Sequence, residues 1–469
     1  MATPFSRPRR RVVFVLAGVL ALLAGVVALY QHFALFRLTK DPNDSRYFGV
    51  VGDMAIHHDC TSGYFTAILL AKEGVDYLEL PRKDFVAKVV SRSGLSRDTP
   101  PVNPPPALLP YSALAKIERT ELSRDFLRQH VFFAQVLLGV IGLGWCAWRL
   151  SAEMPALPFL VPFFFLSSPW RENVHIGQSQ LFMAIAVVIG AVAAATGRNK
   201  TGGVALGFAT MTHVHPGIVF LTLLVRRRWP AIVAGLLTAV VLIALSVVVF
   251  GKEMVSTYFF HVLPDYFIHG DQGELKTTPA WVTVQISPWG FVMKLALLGL
   301  PVGSPLGYGL CRLLLVVVVV VAVLVGRREK RSPAEESLAF IALVVLALYT
   351  NAWMHPYGLL LPTILGFFTV ARALGDGVSI RWMTVATAAA ATAFLGYHQF
   401  FPSGVGEHGK LEILVALVEL PAVLYLCVLA FLPYRHSDRR APHAERGASR
   451  SYVSGALVDG QASESTRLT

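Results

Sequence analysis

The residues best suited to chemistry stand early in the chain, where His57, His58 and Asp59 lie together in a long polar segment. A carboxylate can act as a general base, and imidazoles can donate hydrogen bonds or exchange protons near neutral pH. With Asp53 six residues earlier, the same side chains could bind a divalent metal, but their spacing matches no standard metal site. We therefore favour a structural or solvated cluster over a metal site, and we expect no metal and no cofactor.

The composition predicts a membrane protein. Hydrophobic residues make up 54% of the 469 residues and charged residues only 15%, whereas soluble domains carry about 25% charged residues. Successive apolar runs approach the roughly 20 residues that cross a bilayer, which predicts an all-α polytopic protein with about 10–12 transmembrane helices. These runs are 12–36, 131–149, 178–196, 230–250, 306–326, 337–353, 357–374, 382–398 and 411–433, with a shorter, proline-containing run at 155–169.

The net charge of +12 would suit a nucleic-acid partner, but the basic residues lie where the positive-inside rule places them. We therefore expect no nucleic-acid partner. Putting the basic clusters in the cytoplasm places both termini inside and residues 37–130 outside, in a multi-pass protein of the cell (plasma) membrane with its site facing outside. The clusters are Arg7 with Arg9 to Arg11, Arg198 with Lys200, Arg226 to Arg228, Arg327 to Arg331 (excluding Glu329), and Arg435 with Arg439 and Arg440.

Two segments do not fit simple crossings of the membrane. Residues 202–225 lie between basic clusters that belong on one side, which predicts two half-helices turning at His213 to Pro216. Residues 284–302, with Pro288 and Lys294, are predicted to form an external interfacial segment. Irregular backbone at membrane depth is tolerated only where protein or a water-filled cavity covers it, so we expect a cavity that opens outward.

The chain therefore divides into four predicted parts. In the external part, residues 61–72 are predicted to form a short amphipathic helix at the membrane surface. Asp59 precedes it, where a carboxylate can simply cap the helix. The parts are 1–36, a basic cytoplasmic N-terminus and first transmembrane helix; 37–130, the external loop; 131–433, the transmembrane bundle with an external loop near 251–305; and 434–469, a disordered cytoplasmic tail.

Four short motifs follow one another in a characteristic order. They are the run from Asp59 to Tyr77 with Tyr64, Ala67, Gly74 and Asp76; Asn103 to Pro106; Gly177 to Leu181; and Trp353 to Pro356. In order and in placement relative to the apolar runs, they resemble the motifs of the bacterial glycosyltransferase family 87, a family of the GT-C superfamily with α-(1→2)-mannosyltransferase-like members.

The resemblance implies a GT-C-type fold, with re-entrant or broken helices, and a mechanism. It implies that a sugar is transferred with inversion of configuration from a polyprenyl-phosphate carrier, and the sugar is expected to be mannose. The implied acceptor is a lipid-linked or cell-envelope glycan on the outer face of the membrane. Membrane lipids would surround the enzyme, and the family's acidic general base corresponds to Asp59. A single displacement needs one base, because the lipid phosphate is already a good leaving group.

The leaving phosphate needs cations or hydrogen-bond donors at the outer ends of the spans. Arg171, His175 and His355 are the candidates, although Arg171 could pair with Glu172 and His355 could belong to an aromatic belt. Further candidate substrate-binding residues are His58, Tyr64, Gln178 and His213. Gln178 could instead cap a helix, and His213 could satisfy backbone groups freed by Pro216.

A membrane transporter or lipid flippase is the alternative from another class, because broken helices are also a transporter feature. The sequence shows no obvious repeated halves and no clear ionisable relay at the centre of a span. An inactive glycosyltransferase fold that serves as a scaffold is a third possibility.

Overall fold

The computed structural model describes residues 59–75, 84, 104–117, 124–264, 282, 285–328, 331–351, 356–375, 382–397 and 410–432. Across these ranges the secondary structure is helical, without strands. Four helices within them are long and apolar enough to cross a membrane: Phe133–Leu150, Trp229–Phe250, Ser304–Arg327 and Ile413–Phe431. Shorter apolar helices accompany them, and the chain is an all-α polytopic membrane protein, as predicted. The first predicted span and the C-terminal tail lie outside the described residues.

The helices have the following bounds. The N-terminal group comprises α1 (Asp59–Lys72), α2 (Pro105–Ile117), α3 (Arg124–Leu150), α4 (Leu157–Phe164), α5 (Ser168–Ile176) and α6 (Gln180–Ala195). The middle group comprises α7 (Asn199–Thr212), α8 (Ile218–Val225), α9 (Trp229–Phe250), α10 (Lys252–Thr257), α11 (Pro288–Leu297) and α12 (Ser304–Arg327). The C-terminal group comprises α13 (Pro333–Leu348), α14 (Leu360–Ala373), α15 (Trp382–Tyr397), α16 (Lys410–Leu417) and α17 (Glu419–Phe431).

One end of the bundle is rich in arginine and is called the arginine end below. Glu336 at the start of α13 accepts ion pairs from Arg226 at 2.8 Å and from Arg228 at 2.7 Å. The same arginines, with Arg328, donate to carbonyls in the last turns of three helices, at Ala194, Val325 and Phe431. Helix C-termini leave carbonyls without partners, so these arginines both pair with charge and cap helices.

α13 lies at the centre of the bundle, where its residues are buried along nearly its whole length. Ser332 and Glu335 form a capping box at its start, which satisfies two backbone N–H groups. α9 and α12, in contrast, expose many valine and leucine side chains. Exposed apolar faces of this kind are suited to lipid contact, so these helices lie at the periphery.

Small residues allow α7 to approach its neighbours closely. A Cβ atom built on Gly203 would lie 2.1 Å from the carbonyl oxygen of Ala231 in α9, and one on Gly207 would lie 2.7 Å from that of Gly235. Gly202 faces the backbone of Ala194 in α6 in the same way. Such close backbone approach drives helix association in lipid, and it places α7 between α6 and α9.

The predicted pair of half-helices is present. α7 ends at Thr212, His213 takes an extended conformation, and a 3-10 turn (His215–Gly217) leads into α8. Pro216 has no N–H to continue a helix, and it starts the returning half-helix in its first turn. α7 and α8 both connect to the arginine end, so the turn between them lies toward the opposite end of the bundle.

Residues 285–302 differ in one respect from the interfacial segment that was predicted. α11 is short, as expected, but Lys294 is buried, with its Nζ atom 3.4 Å from Glu419 and 3.1 Å from the carbonyl oxygen of Ala416. α16 and α17 follow one another through Val418, which keeps helical dihedral angles, although Pro421 cannot donate to a carbonyl of the preceding turn. Lys294 supplies an additional donor at this junction, and α17 begins with a buried carboxyl group, that of Glu419, which the sequence did not reveal.

Candidate functional site

The family-like motifs gather at the end of the bundle opposite the arginines, called the motif end below. α6 ends beside Arg228 at the arginine end and begins at Gln180 about 24 Å away, at 1.5 Å per residue. The motif Gly177–Ser179 lies directly before Gln180. The helices α1, α2 and α5 pack around it at this end.

α1 begins at Asp59 and lies with one face against the bundle. Tyr64, Ala67 and Leu70 are buried, whereas Lys72 and Glu73 are exposed. Gly74 ends the helix in the left-handed region with φ of +75°, while Val75 donates to the carbonyl of Leu70. This is a Schellman motif, which favours glycine. The predicted short helix is present, but it begins two residues earlier than predicted, so Asp59 lies in its first turn and not before it.

Tyr64 joins α1 to the Gly177–Ser179 motif. Its hydroxyl donates to Gln178 Oε1 at 2.5 Å and lies 3.3 Å from Ser179 Oγ. The Ser179 N–H also donates to Gln178 Oε1, at 3.1 Å. The Gln178 oxygen therefore receives two hydrogen bonds, which orients the side-chain amide and leaves its nitrogen as the remaining donor.

The backbone of this motif is held in place by neighbouring helices. Gly177 ends α5 with φ of +66°, and the N–H of Gln178 donates to the carbonyl of Asn173, in a second Schellman motif. The Tyr111 hydroxyl donates to the carbonyl of Gly177 at 2.8 Å, and Gln135 Nε2 donates to the carbonyl of Gln178 at 3.0 Å. The motif is thus a rigid backbone platform with one oriented amide.

Arg171 and His175 lie on α5, the short helix that leads into this motif. Arg171 is half-buried, and its Nη2 atom donates to Ser168 Oγ at 3.2 Å. His175 is placed on α5 only by its backbone. The turn that begins at Pro356 packs against α5, so the chain enters this end of the bundle beside α5 directly after His355. His355 and His58 themselves lie outside the described residues.

His213 belongs to the tip of the half-helix pair. α7 begins at the arginine end and has 14 residues, which places His213 about 21 Å from that end. Its Nε2 atom is buried and has no hydrogen-bond partner in the described ranges. His213 is therefore at nearly the same level as Gln178, on a different pair of helices.

Three participants were not predicted from the sequence. Tyr111 packs its ring against Tyr64 with 4.7 Å between ring centroids, Gln135 supports Gln178, and Ser179 contacts both Tyr64 and Gln178. Gln135 did carry a signal, because it is a polar residue inside an apolar run. Tyr111 lies in α2 after the proline motif. The residues around it show no regular helical spacing of apolar side chains, so the sequence did not indicate that this tyrosine is buried.

This arrangement suits recognition of a polar molecule at a membrane surface. A carboxylate-bearing residue starts α1, an oriented amide follows α5, and an arginine lies on α5, all at one end of an apolar bundle. Oriented donors and a cation favour a phosphate or sugar, and one carboxylate is sufficient for base catalysis of a single displacement. The fold and site thus define a polytopic membrane protein with a polar site at one end.

The model of glycosyltransferase family 87 matches residues 102–354, more than half of the chain. The chain belongs to this family and is a membrane glycosyltransferase, as the motifs indicated. No curated protein and no solved structure matches it. The match begins after α1. The Tyr64 hydroxyl nevertheless contacts Gln178 and Ser179, so α1 packs directly against the matched region.

Proposed function

We propose that this glycosyltransferase transfers a sugar, mannose in our hypothesis, from a polyprenyl-phosphate carrier with inversion of configuration. The acceptor would be a lipid-linked or cell-envelope glycan on the outer face of the membrane. Asp59 would be the general base that accepts the proton of the attacking hydroxyl. The observation that carries this proposal is the docking of α1, which starts at Asp59, on the Gly177–Ser179 motif through Tyr64.

The docked helix supports a catalytic position for Asp59. Tyr64 is five residues after Asp59, or about 7.5 Å further along the helix axis. An acidic residue in the first turn is favoured as a carboxylate by the helix dipole.

The other predicted residues would serve the donor phosphate and sugar. Arg171 would neutralise the phosphate charge that develops as the sugar leaves, since guanidinium groups bind phosphate with two parallel hydrogen bonds. The Nε2 donor of Gln178 would bind a sugar hydroxyl or a phosphate oxygen. His58, His175, His213 and His355 are proposed as further donors, and Tyr64 would act chiefly by holding Gln178.

The arrangement of charges supports an orientation in the membrane. The arginine end contains the clusters that the positive-inside rule assigns to the cytoplasm, and the motif end is on the opposite side. We infer that the candidate site faces outside in a plasma-membrane protein with both termini inside. The four-part division of the chain remains our proposal for its organisation.

Replacing Asp59 with Asn tests the proposal. Loss of a general base lowers a rate by about 10²–10⁴-fold, so we expect transfer from polyprenyl-phosphate mannose to a membrane lipid extract to fall by that factor in Asp59→Asn. Glu73→Gln is the matched control, because it neutralises an exposed carboxylate just after the same helix.

Unchanged product formation by Asp59→Asn would exclude Asp59 as the base. Loss of activity in Asp53→Asn instead would assign the role to that neighbouring residue. A panel of polyprenyl-phosphate donors with other hexoses and pentoses, assayed with the natural chain, would show whether mannose is the sugar transferred.

A further inference from the structure

At the arginine end, the last turns of α12 and α17 flank the start of α13, and this place is called the α12–α17 edge below. α12 and α17 belong to the four helices that are long and apolar enough to cross a membrane, and both pack on α13. The Arg328 side chain reaches from the end of α12 to the carbonyl of Phe431 in α17, at 3.4 Å. Two membrane-spanning helices therefore end together here, on the side opposite the candidate site.

The part of this edge nearer the middle of the bundle is apolar and exposed. Leu324 lies one turn before Arg328 on α12, and its carbonyl accepts the Arg328 N–H. Val428 and Leu432 are related in the same way on α17. The side chains of Leu324, Val428 and Leu432 are 58%, 55% and 50% exposed, so apolar surface continues up to the arginine. Adjoining exposed apolar side chains of this kind mark a surface that contacts lipid or another molecule.

The polar part of the edge has more positive charge than its carboxylates balance. Glu335 and Glu336 at the start of α13 already pair with other arginines, and within the described ranges neither Arg328 nor Arg331 forms an ion pair. Burial, together with the charges of Arg328 and Arg226, lowers the pKa of Arg331 to about 10. The two glutamates oppose this shift only in part. Arg331 is still charged at neutral pH, so the edge can accept an anion.

The order of these groups favours a lipid over a soluble anion. A soluble anion or a nucleic acid would use the guanidinium groups but not the exposed leucine and valine side chains beside them. An anionic phospholipid uses both, because its phosphate lies at the membrane surface and its acyl chains lie in the bilayer. Guanidinium groups bind phosphate with two parallel hydrogen bonds, and basic sites between membrane-spanning helices bind anionic lipid head groups.

We propose that the α12–α17 edge binds an anionic phospholipid, with the phosphate at Arg328 and Arg331 and the acyl chains along Leu324, Val428 and Leu432. The lipid joins the ends of α12 and α17 over the start of α13, so it stabilises the fold and is not a substrate. The inference does not depend on the sugar donor, the acceptor or the role of Asp59, since it concerns the opposite end of the bundle.

Removing the two arginine charges tests the inference. Arg328→Gln/Arg331→Gln keeps amide donors at the edge but removes both charges. Arg198→Gln/Lys200→Gln is the matched control, because it removes two exposed charges from the same end, beside the start of α7. We expect the affinity of the purified protein for phosphatidylglycerol, measured by native mass spectrometry, to fall by about tenfold or more in the first variant, since each arginine near an anionic lipid surface contributes about fivefold. The control should stay within about twofold, because exposed charges away from the site are screened.

Thermal unfolding in detergent provides a second measurement. Phosphatidylglycerol at about 100 times its Kd should raise the Tm of the wild-type protein by about 3–5 °C, because a ligand that binds only the folded state stabilises it. Phosphatidylethanolamine, which has similar chains but no net charge, should raise the Tm by less than about 1 °C. If the double variant does not fold, Arg331→Gln alone is decisive, since Arg331 caps no helix in the described ranges, and its affinity for phosphatidylglycerol should fall by about fivefold.

Four results would overturn the inference. An unchanged affinity in Arg328→Gln/Arg331→Gln would place the lipid elsewhere, and an equal loss in Arg198→Gln/Lys200→Gln would show that only the net charge of this end attracts lipid. Equal binding of phosphatidylethanolamine would show that the edge does not select an anionic head group. Displacement of phosphatidylglycerol by an equal concentration of inorganic phosphate would show a simple anion site that makes no use of the apolar side chains.

Discussion

Gln178 shows how a single polar side chain is prepared for binding. Its oxygen accepts from Tyr64 and from the Ser179 N–H, so the amide has one orientation before a substrate arrives. Preorganised donors lose less conformational entropy on binding than mobile ones. The alternative that Gln178 only caps a helix accounts for its contact with Ser179 but not for the buried Tyr64 contact.

The role of Tyr64 can be separated from simple packing. Tyr64→Phe keeps the ring contact with Tyr111 but removes the bond to Gln178, so we expect a stability loss of about 1 kcal/mol and a severalfold rise in KM for the donor. Thermal unfolding in detergent and steady-state kinetics would measure the two effects.

Tyr111→Phe provides the control for this prediction. It removes a comparable hydrogen bond, to the carbonyl of Gly177, while the Gln178 side chain keeps its partners. Similar stability losses with a larger donor KM effect in Tyr64→Phe are expected. If both variants raised KM equally, Tyr64 would be a structural residue only.

Among the elements, α7 depends most clearly on residue size. Its contact with α9 places Gly203 against the Ala231 backbone, where there is no space for a methyl group. The backbone must shift to accommodate a Cβ, since the nearest atom is a carbonyl oxygen and not a flexible side chain. Because α7 ends at the turn that carries His213, this contact also sets the position of that turn.

Gly203→Ala is therefore expected to destabilise the protein by about 1–3 kcal/mol, which is typical of overpacking. Gly144→Ala is the matched control: Gly144 lies in α3 with open space where its Cβ would be. Alanine is the better helix former by about 1 kcal/mol, so the control should be neutral or slightly stabilising. Equal melting temperatures for the two variants would contradict the close α7–α9 contact.

At the scale of the whole molecule, ion pairs at the arginine end join several helices. Arg226 and Arg228 share Glu336, and Glu335 pairs with Arg372 at 3.5 Å. These pairs join α13 to the segment between α8 and α9 and to the end of α14. The arginine end thus holds several helices together, while the motif end provides the polar groups for binding.

Removing the shared carboxylate should weaken the whole bundle. In Glu336→Gln both arginines lose their counter-charge, and breaking a buried pair from one side costs about 3–5 kcal/mol. We expect a value near 3 kcal/mol, because a quarter of the Arg228 side chain is exposed, and thermal unfolding in detergent would measure it.

Glu253→Gln is the control for this prediction. Its pair with Lys252 is 3.7 Å long and largely exposed, and exposed pairs contribute little to stability. A melting temperature for Glu336→Gln equal to that of Glu253→Gln would show that the arginine end does not stabilise the bundle.

Patterns local in the chain allowed much of this architecture to be predicted. Apolar runs indicated the helices, Pro216 marked the turn between α7 and α8, and the order of short motifs indicated the family. The helix after Asp59 was also predicted, because its signals lie within a few successive residues. Each of these features depends on backbone chemistry or on burial in lipid. Both are determined by residues that are close together in the chain, so they can be read from the sequence.

Contacts between distant residues were decided by the tertiary structure. Tyr111 and Gly177 are 66 residues apart and Lys294 and Glu419 are 125 apart, and no local pattern pairs them. The sequence determined that this is a helical membrane glycosyltransferase with an acidic residue at the start of a short helix. Only the packed bundle brought that helix onto Gln178 and buried Lys294, because both depend on which helix faces meet in three dimensions.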